Sequence, residues 1–168
     1  MRRFLIILAV LIATANQPAT AQILGVGPVE ISNISDFNLG TWGIGDPAIV
    51  AHMDLCIYAL VTVPLTSYSI TISSPGGYIL TSGSHQIPYS LYWDDSGAGN
   101  LGSTNGTQLS NNVALTGQMK ANILSTSCAL GNPSGPNARL TIKITTQDMT
   151  NALAGNYTGT ITLLVSPT

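Results

Sequence analysis

The chain has 168 residues, of which only 7% are charged, with five Lys and Arg against seven Asp and Glu. This balance excludes the basic surface of a nucleic-acid-binding protein, and it leaves the surface to be covered mainly by Ser, Thr, Asn, Gln and Gly. No segment is apolar over the roughly 20 residues that a membrane-spanning helix needs.

The N-terminus has the pattern of a secretory signal peptide. Arg2 and Arg3 precede an unbroken apolar run from Phe4 to Ala13, and small residues follow at 19–21. A basic start, a short apolar run and a small-residue cleavage site are typical of such a leader. We therefore predict that residues 1–21 are removed during export through the periplasm, and that the remainder is of single-domain size.

The predicted mature chain begins with residues 22–34, which alternate between two faces if the chain is extended. One face carries Ile23, Gly25, Gly27, Val29 and Ile31. Two interpretations stay open for this segment. It is either a donor strand that enters another molecule or the first strand of this chain's own sandwich. With either interpretation, we predict that the main domain covers residues 35–168.

Strand signals dominate the rest of the chain, and no apolar stripe of helical period persists. Apolar residues alternate with polar ones in four runs, which are 68–72, 87–93, 140–144 and 161–165. Such alternation gives each strand one apolar and one polar face. With turn-rich segments between the runs, the sequence predicts an all-β, antiparallel, immunoglobulin-like sandwich.

Three further segments carry weaker predictions. The run 48–63 is almost continuously apolar, which predicts a strand that is buried on both faces. Residues 96–112 form the longest stretch of low hydrophobicity, and the pair Asn105-Gly106 within it indicates a hairpin turn. A helix is expected for at most one short turn at 152–155.

Cys56 and Cys128 are the only cysteines of the chain. In an exported protein, two cysteines are more typical of a disulfide than of a metal or catalytic site. Closing a loop of about 70 residues would stabilise the fold by roughly 4 kcal/mol in the chain-entropy model. We predict that the pair links two distant strands.

Residues that could carry out catalysis do not converge in the sequence. His52 and His85 lack the spacing of metal ligands, and the adjacent Asp94 and Asp95 would point to opposite faces of an extended chain, so we expect a turn cap there. No serine motif of a hydrolase is present. We therefore expect no enzyme, and no catalytic residue, metal site or cofactor.

Three aromatic residues lie close together in the run 87–93. Tyr89 and Trp93 share a face, and large aromatic side chains on the apolar face of a strand usually belong to the core. Tyr92 points the other way and is the freer candidate for contact with a ligand.

Three segments of the chain resemble the spore coat protein U domain, a family that includes the pilin subunits of archaic chaperone/usher fimbriae. They are Asp36-Phe37-Asn38-Leu39-Gly40, Ile87-Pro88-Tyr89-Ser90-Leu91-Tyr92-Trp93, and the C-terminal run from Leu153 to Leu163. The similarity extends over most of the predicted mature chain. The region of the second cysteine is not part of it.

The resemblance implies an incomplete sandwich that lacks its last strand. Its groove would be filled first by a periplasmic chaperone and then, at an outer-membrane usher, by the N-terminal strand of a neighbouring copy or a related pilin. In this chain the acceptor edge would be the final strand, with Ile161, Leu163 and Val165. Strand addition of this kind takes affinity from main-chain hydrogen bonds and specificity from alternate side chains.

Two functions of different classes follow. The leading hypothesis is a structural subunit of a chaperone/usher fimbria at the cell surface, which polymerises by donor-strand exchange and serves surface attachment or biofilm formation. The alternative is a self-contained secreted binding module whose loops, above all 96–112, recognise a surface ligand such as a glycan.

Overall fold

The protein is represented by a computed structural model that describes residues 6–15, 29–59, 67–102, 106–131 and 134–168. These ranges hold twelve strands and one short helix. The elements are β1 (Ile6–Ala15), β2 (Val29–Ser32), β3 (Thr41–Trp42), β4 (Ile49–Ala59), β5 (Tyr68–Ser73), β6 (Ile79–Ser82), β7 (His85–Pro88), β8 (Ser90–Asp94), β9 (Thr107–Gln108), β10 (Ala114–Gln118), β11 (Ala138–Ile144), α1 (Thr146–Asn151) and β12 (Tyr157–Pro167).

The strands form two sheets that enclose one apolar core. The first sheet has the order β10-β5-β12-β1-β3, with β6 paired to β12 and β7 paired to β6, and the second has the order β2-β4-β11-β8-β9. Inward side chains such as Ile72, Leu140 and Ile161 are fully buried, because alternation places every second residue against the opposite sheet. The prediction of an all-β antiparallel sandwich is confirmed.

The run 87–93 is not one strand, as predicted, but two strands in different sheets. β7 belongs to the first sheet and β8 to the second, and between them the amide of Tyr89 donates to the carbonyl of Tyr78 at 2.9 Å. Alternation continues across this bend because both strands face the same core. Tyr89 and Trp93 are buried, as predicted.

The prediction that the 48–63 run is buried on both faces is wrong for most of β4. Met53, Leu55 and Ile57 face the core, whereas His52 and Asp54 are exposed on the outer face. Residues 60–63 lie outside the described ranges. On the outer face of β4, Cys56 is buried because it is bonded to Cys128, with 5.7 Å between the two Cα atoms. The predicted disulfide is therefore present.

The helix lies at Thr146–Asn151 rather than at 152–155, where a turn of helix was expected. Thr145 is its N-cap, since its Oγ1 accepts a hydrogen bond from the amide of Asp148 at 3.1 Å. Met149 anchors the helix in the core. Within the ranges that the structure describes, no helix is long and apolar enough to cross a membrane.

Candidate functional site

The predicted acceptor residues lie on β12 and face the core. Ile161 is 0%, Leu163 1% and Val165 7% exposed. The residues between them, such as Thr162 and Leu164, point outward. The strand therefore offers one apolar row to the interior.

β12 has partners on both of its sides. On one side it pairs antiparallel with β5, from Thr162 opposite Ser73 to Pro167 opposite Tyr68. On the other side it pairs in parallel with β1, whose Ala13 and Ala15 lie opposite Ile161 and Leu163. The acceptor edge is thus covered, by a strand from the start of the chain rather than by one that follows it.

β1 is also paired on its far side. Ile6 and Ile7 lie opposite Trp42 and Thr41 of β3, in antiparallel orientation. Trp42 is 2% exposed, and its Nε1 donates to the carbonyl of Pro47 at 2.9 Å. We call the position of β1, between β12 and β3, the slot.

The slot is filled by residues that the sequence assigns to a leader. Removal of residues 1–21 would leave the main chain of β12 without partners on this side and would open the core beside Ile161 and Leu163. A buried main-chain group without a partner costs roughly 1–3 kcal/mol, and an open strand edge is a template for another chain.

The predicted donor residues divide into two groups. Ile23, Gly25 and Gly27 lie outside the described residues. Val29 and Ile31 lie on β2, where they pair with Ala59 and Ile57 of β4 and pack half-buried against the core. This is the position that Val29 and Ile31 would have in the first strand of this chain's own sandwich. Donation of residues 22–31 as a strand to another molecule stays a prediction.

Two ionisable side chains on the outer face of the second sheet, Arg139 and Asp54, form an ion pair. Arg139 Nη2 donates to Asp54 Oδ2 at 2.8 Å, and the hydrogen bond from Arg139 is the main cause that lowers the pKa of Asp54. His52 Nδ1 lies 2.9 Å from Thr141 Oγ1. In the described ranges, no three of His, Cys, Asp and Glu lie close enough to hold a metal ion.

Asp94 and Asp95 have separate structural roles. Asp94 Oδ1 accepts from the amide of Ser96 at 2.9 Å, which is the predicted turn cap. Asp95 instead accepts from Tyr68 Oη at 2.5 Å and from the amide of Met119 at 2.7 Å. Burial raises the pKa of Asp95 and, more strongly, that of Tyr68. No local sequence pattern indicates this connection, which ties β5 to the segment after β10.

A cavity of about 420 Å³ lies beside this connection, between residues 96–100 and residues 119–124. Asn137 is part of its wall, and the side-chain amide of this residue donates to the carbonyl of Lys120 at 2.7 Å. The cavity adjoins the start of the loop that the alternative hypothesis assigns to ligand recognition. Tyr92 lies elsewhere, on the outer face of the second sheet with Thr141 and Lys143.

The fold is similar to that of a solved structure from a chaperone–tip adhesin complex described as vital for activation of CFA/I fimbriae biogenesis. The TM-score is 0.55 at 20% identity, over 83% of this chain and 41% of that chain. The chain thus spans about two fifths of the matched chain, and at this identity the similarity shows a shared fold alone. No protein-family model and no curated protein matches the sequence.

Proposed function

We propose that the chain is an exported structural subunit of a chaperone/usher fimbria, of the type that the spore coat protein U resemblance implies. The observation that carries the proposal is the slot. The residues that complete the sheet between β12 and β3 are Ile6–Ala15, and the leader pattern predicts that the mature chain loses them. The mature sandwich then needs a strand from another molecule.

Two partners supply that strand in succession. A periplasmic chaperone inserts an apolar strand beside β12, which keeps the core closed during transit. At the outer-membrane usher, the N-terminal segment of a neighbouring subunit replaces it. Each strand gains main-chain hydrogen bonds along β12 and places alternate side chains against the core near Ile161 and Leu163. The product is a filament for surface attachment or biofilm formation.

The test is to express the full precursor in a bacterial periplasm with its chaperone, with and without residues 22–28. This deletion leaves β2 intact, so the sandwich keeps its own strands. We expect unboiled wild-type extracts to show a ladder of multimers and the deletion to show only the chaperone complex. A chaperone-independent soluble monomer from both would contradict the proposal.

The cavity beside residues 96–100 favours the second candidate function, a secreted binding module. In that case the ladder is absent, and an oligosaccharide array bound by the purified monomer identifies the ligand. Substitution Asn100→Ala, in the wall of the cavity, should then weaken glycan binding by about fivefold, since a lost hydrogen bond to a ligand costs on the order of 1 kcal/mol. Unchanged binding in the variant would exclude the cavity as the site.

A further inference from the structure

Large exposed apolar side chains gather at both ends of the sandwich. At the end where β12 finishes, one segment carries four of them, which we call the lower patch: Met119 (60% exposed), Ile123 (56%), Leu124 (62%) and Leu130 (62%). At the end where β12 begins, Ile44 (77%) and Leu153 (58%) form what we call the upper patch. Single exposed apolar side chains, such as Val113, are ordinary, whereas groups of them indicate an interface.

The lower patch lies next to the point where the N-terminal segment enters the body. The amide of Ala59 donates to the carbonyl of Asn122 at 3.0 Å, and Ala59 pairs with Val29, the first residue of β2. The disulfide from Cys128 to Cys56 holds the segment in this place. Val29, the first residue described after the gap at 16–28, therefore lies beside the segment that carries the lower patch.

The upper patch lies at the mouth of the slot. Ile44 stands on a turn closed by the bond from the amide of Asp46 to the carbonyl of Gly43 at 3.0 Å, directly after the residues that pair with β1. The carbonyl of Leu153 accepts from Tyr157 Oη at 2.8 Å, just before β12. Ile44 thus follows β3 and Leu153 precedes β12, the two strands that border the slot, at the end where β12 begins.

The length of the N-terminal segment requires the two ends to be close. Seven residues, 22–28, reach roughly 23 Å when extended, and the stretch of β12 from Tyr157 to Leu163 is roughly 20 Å long at about 3.3 Å per residue. While β2 stays in its own body, the segment can fill a neighbour's slot only if almost none of it is used to bridge a gap. The lower patch of one copy must then touch the upper patch of the next.

We propose that the lower patch is the docking surface for the upper patch of a second copy, and that the Ile44 turn enters the cavity between residues 96–100 and 119–124. This contact rests on the donor-strand exchange proposed above and adds a body-to-body interface to it. It is head-to-tail and does not close, so it propagates a filament.

The experiment compares assembly of the wild-type chain with that of the variant Ile123→Ser/Leu124→Ser. Val113→Ser is the matched control, because Val113 is equally exposed at 56% but lies beside β10, away from both patches. Circular dichroism of each chaperone-bound monomer verifies folding. We expect the double variant to form the multimer ladder at least about tenfold more slowly than wild type, and the control to match wild type.

A second variant, Ile44→Ser/Leu153→Ser, tests the opposite end independently. It should slow assembly similarly, and all four substitutions together should slow it no more than either pair, because both pairs remove the same contact. Wild-type assembly rates in both patch variants would overturn the contact while the ladder still supports strand exchange. Absence of a ladder in the wild type would instead overturn strand exchange, and this contact with it.

Discussion

The two N-terminal strands, β1 and β2, hold different positions in the sandwich. β1 lies inside a sheet, between β12 and β3, whereas the four-residue β2 lies at the edge of the other sheet and pairs with β4 alone. Loss of β2 would shorten an edge. Loss of β1 would open the interior of a sheet along β12. The first sheet, as the structure shows it, therefore includes a stretch of 10 residues that the leader pattern predicts is removed.

The proposed strand exchange would be linked to folding in this chain, because the two sheets differ in their completeness. The second sheet is complete within the predicted mature protein, and the disulfide fastens the end of β4 from the outside. Without residues 6–15, the first sheet would need an added strand to cover the inward row of β12. An added strand should therefore stabilise variants with substitutions in the first sheet more than variants with substitutions in the second sheet.

The largest effect is expected at the slot. Ile161→Asp places a carboxylate in the fully buried core beside the slot, which should cost about 3 kcal/mol or more and abolish recovery of folded chaperone complex. The matched control is Leu164→Asp on the outward face of the same strand, where the side chain is 39% exposed. Its unfolding midpoint in urea should change little. Equal losses from both variants would contradict the assigned faces of β12.

The disulfide should give the next largest effect, now in the second sheet. Cys56→Ser/Cys128→Ser is expected to lower the free energy of unfolding by about 2–4 kcal/mol, because the unfolded chain gains freedom. Urea unfolding of the chaperone-free polymerised protein, with and without reductant, provides the measurement. A loss below about 1 kcal/mol would show that residues 119–131 are held in place without the bond.

Gly106→Ala tests the close approach of a loop to β8. A Cβ at this position would collide with the main-chain oxygen of Trp93, so we expect a loss of about 1–3 kcal/mol. The control is Gly43→Ala, whose Cβ would make an ordinary contact of 3.5 Å with Asp46 Oδ2. A smaller loss at Gly106 than at Gly43 would contradict the pairing of β9 with β8.

The smallest effect concerns the exposed ion pair on the outer face of the second sheet. Asp54→Asn should cost about 0.5 kcal/mol near pH 7, since the pair is partly exposed. Arg139 lowers the pKa of Asp54, so its stabilisation is present above the unfolded-state pKa and is lost as pH falls through the folded-state pKa. The difference in Tm between wild type and variant should therefore shrink as the pH falls below 3.8, the ordinary pKa of an Asp side chain. A difference that grows on acidification would contradict this assignment.

Sequence alternation predicted the strands well wherever one face packs on the core, as in β5, β11 and β12. It could not place the bend at Tyr89, because the apolar period continues while the chain changes sheets. The helix had a local signal that was missed, Thr145 followed three residues later by Asp148. In contrast, the bond of Asp95 to Tyr68 joins residues far apart in the chain and leaves no local pattern.

The site was predicted in part. The residues of the predicted acceptor edge lie on the predicted strand, and their acceptor role stays a prediction. The disulfide joins the predicted cysteines. The strand at Ile6–Ala15 could not be predicted, since an apolar run after two arginines has the same pattern whether it serves as a leader or fills a sheet. Its partner, β12, lies at the other end of the chain, and periodicity carries no information on such pairing.

The most direct test of the central claim is amide hydrogen exchange on residues 29–168, a chain that has neither β1 nor the donor segment. It would be measured alone and with a synthetic peptide of residues 6–15. The account predicts that amides at 157–163 exchange at least about tenfold more slowly with the peptide, while those of β11 are protected in both samples. Full protection of residues 157–163 without the peptide would show that the sandwich is complete by itself and would contradict the account.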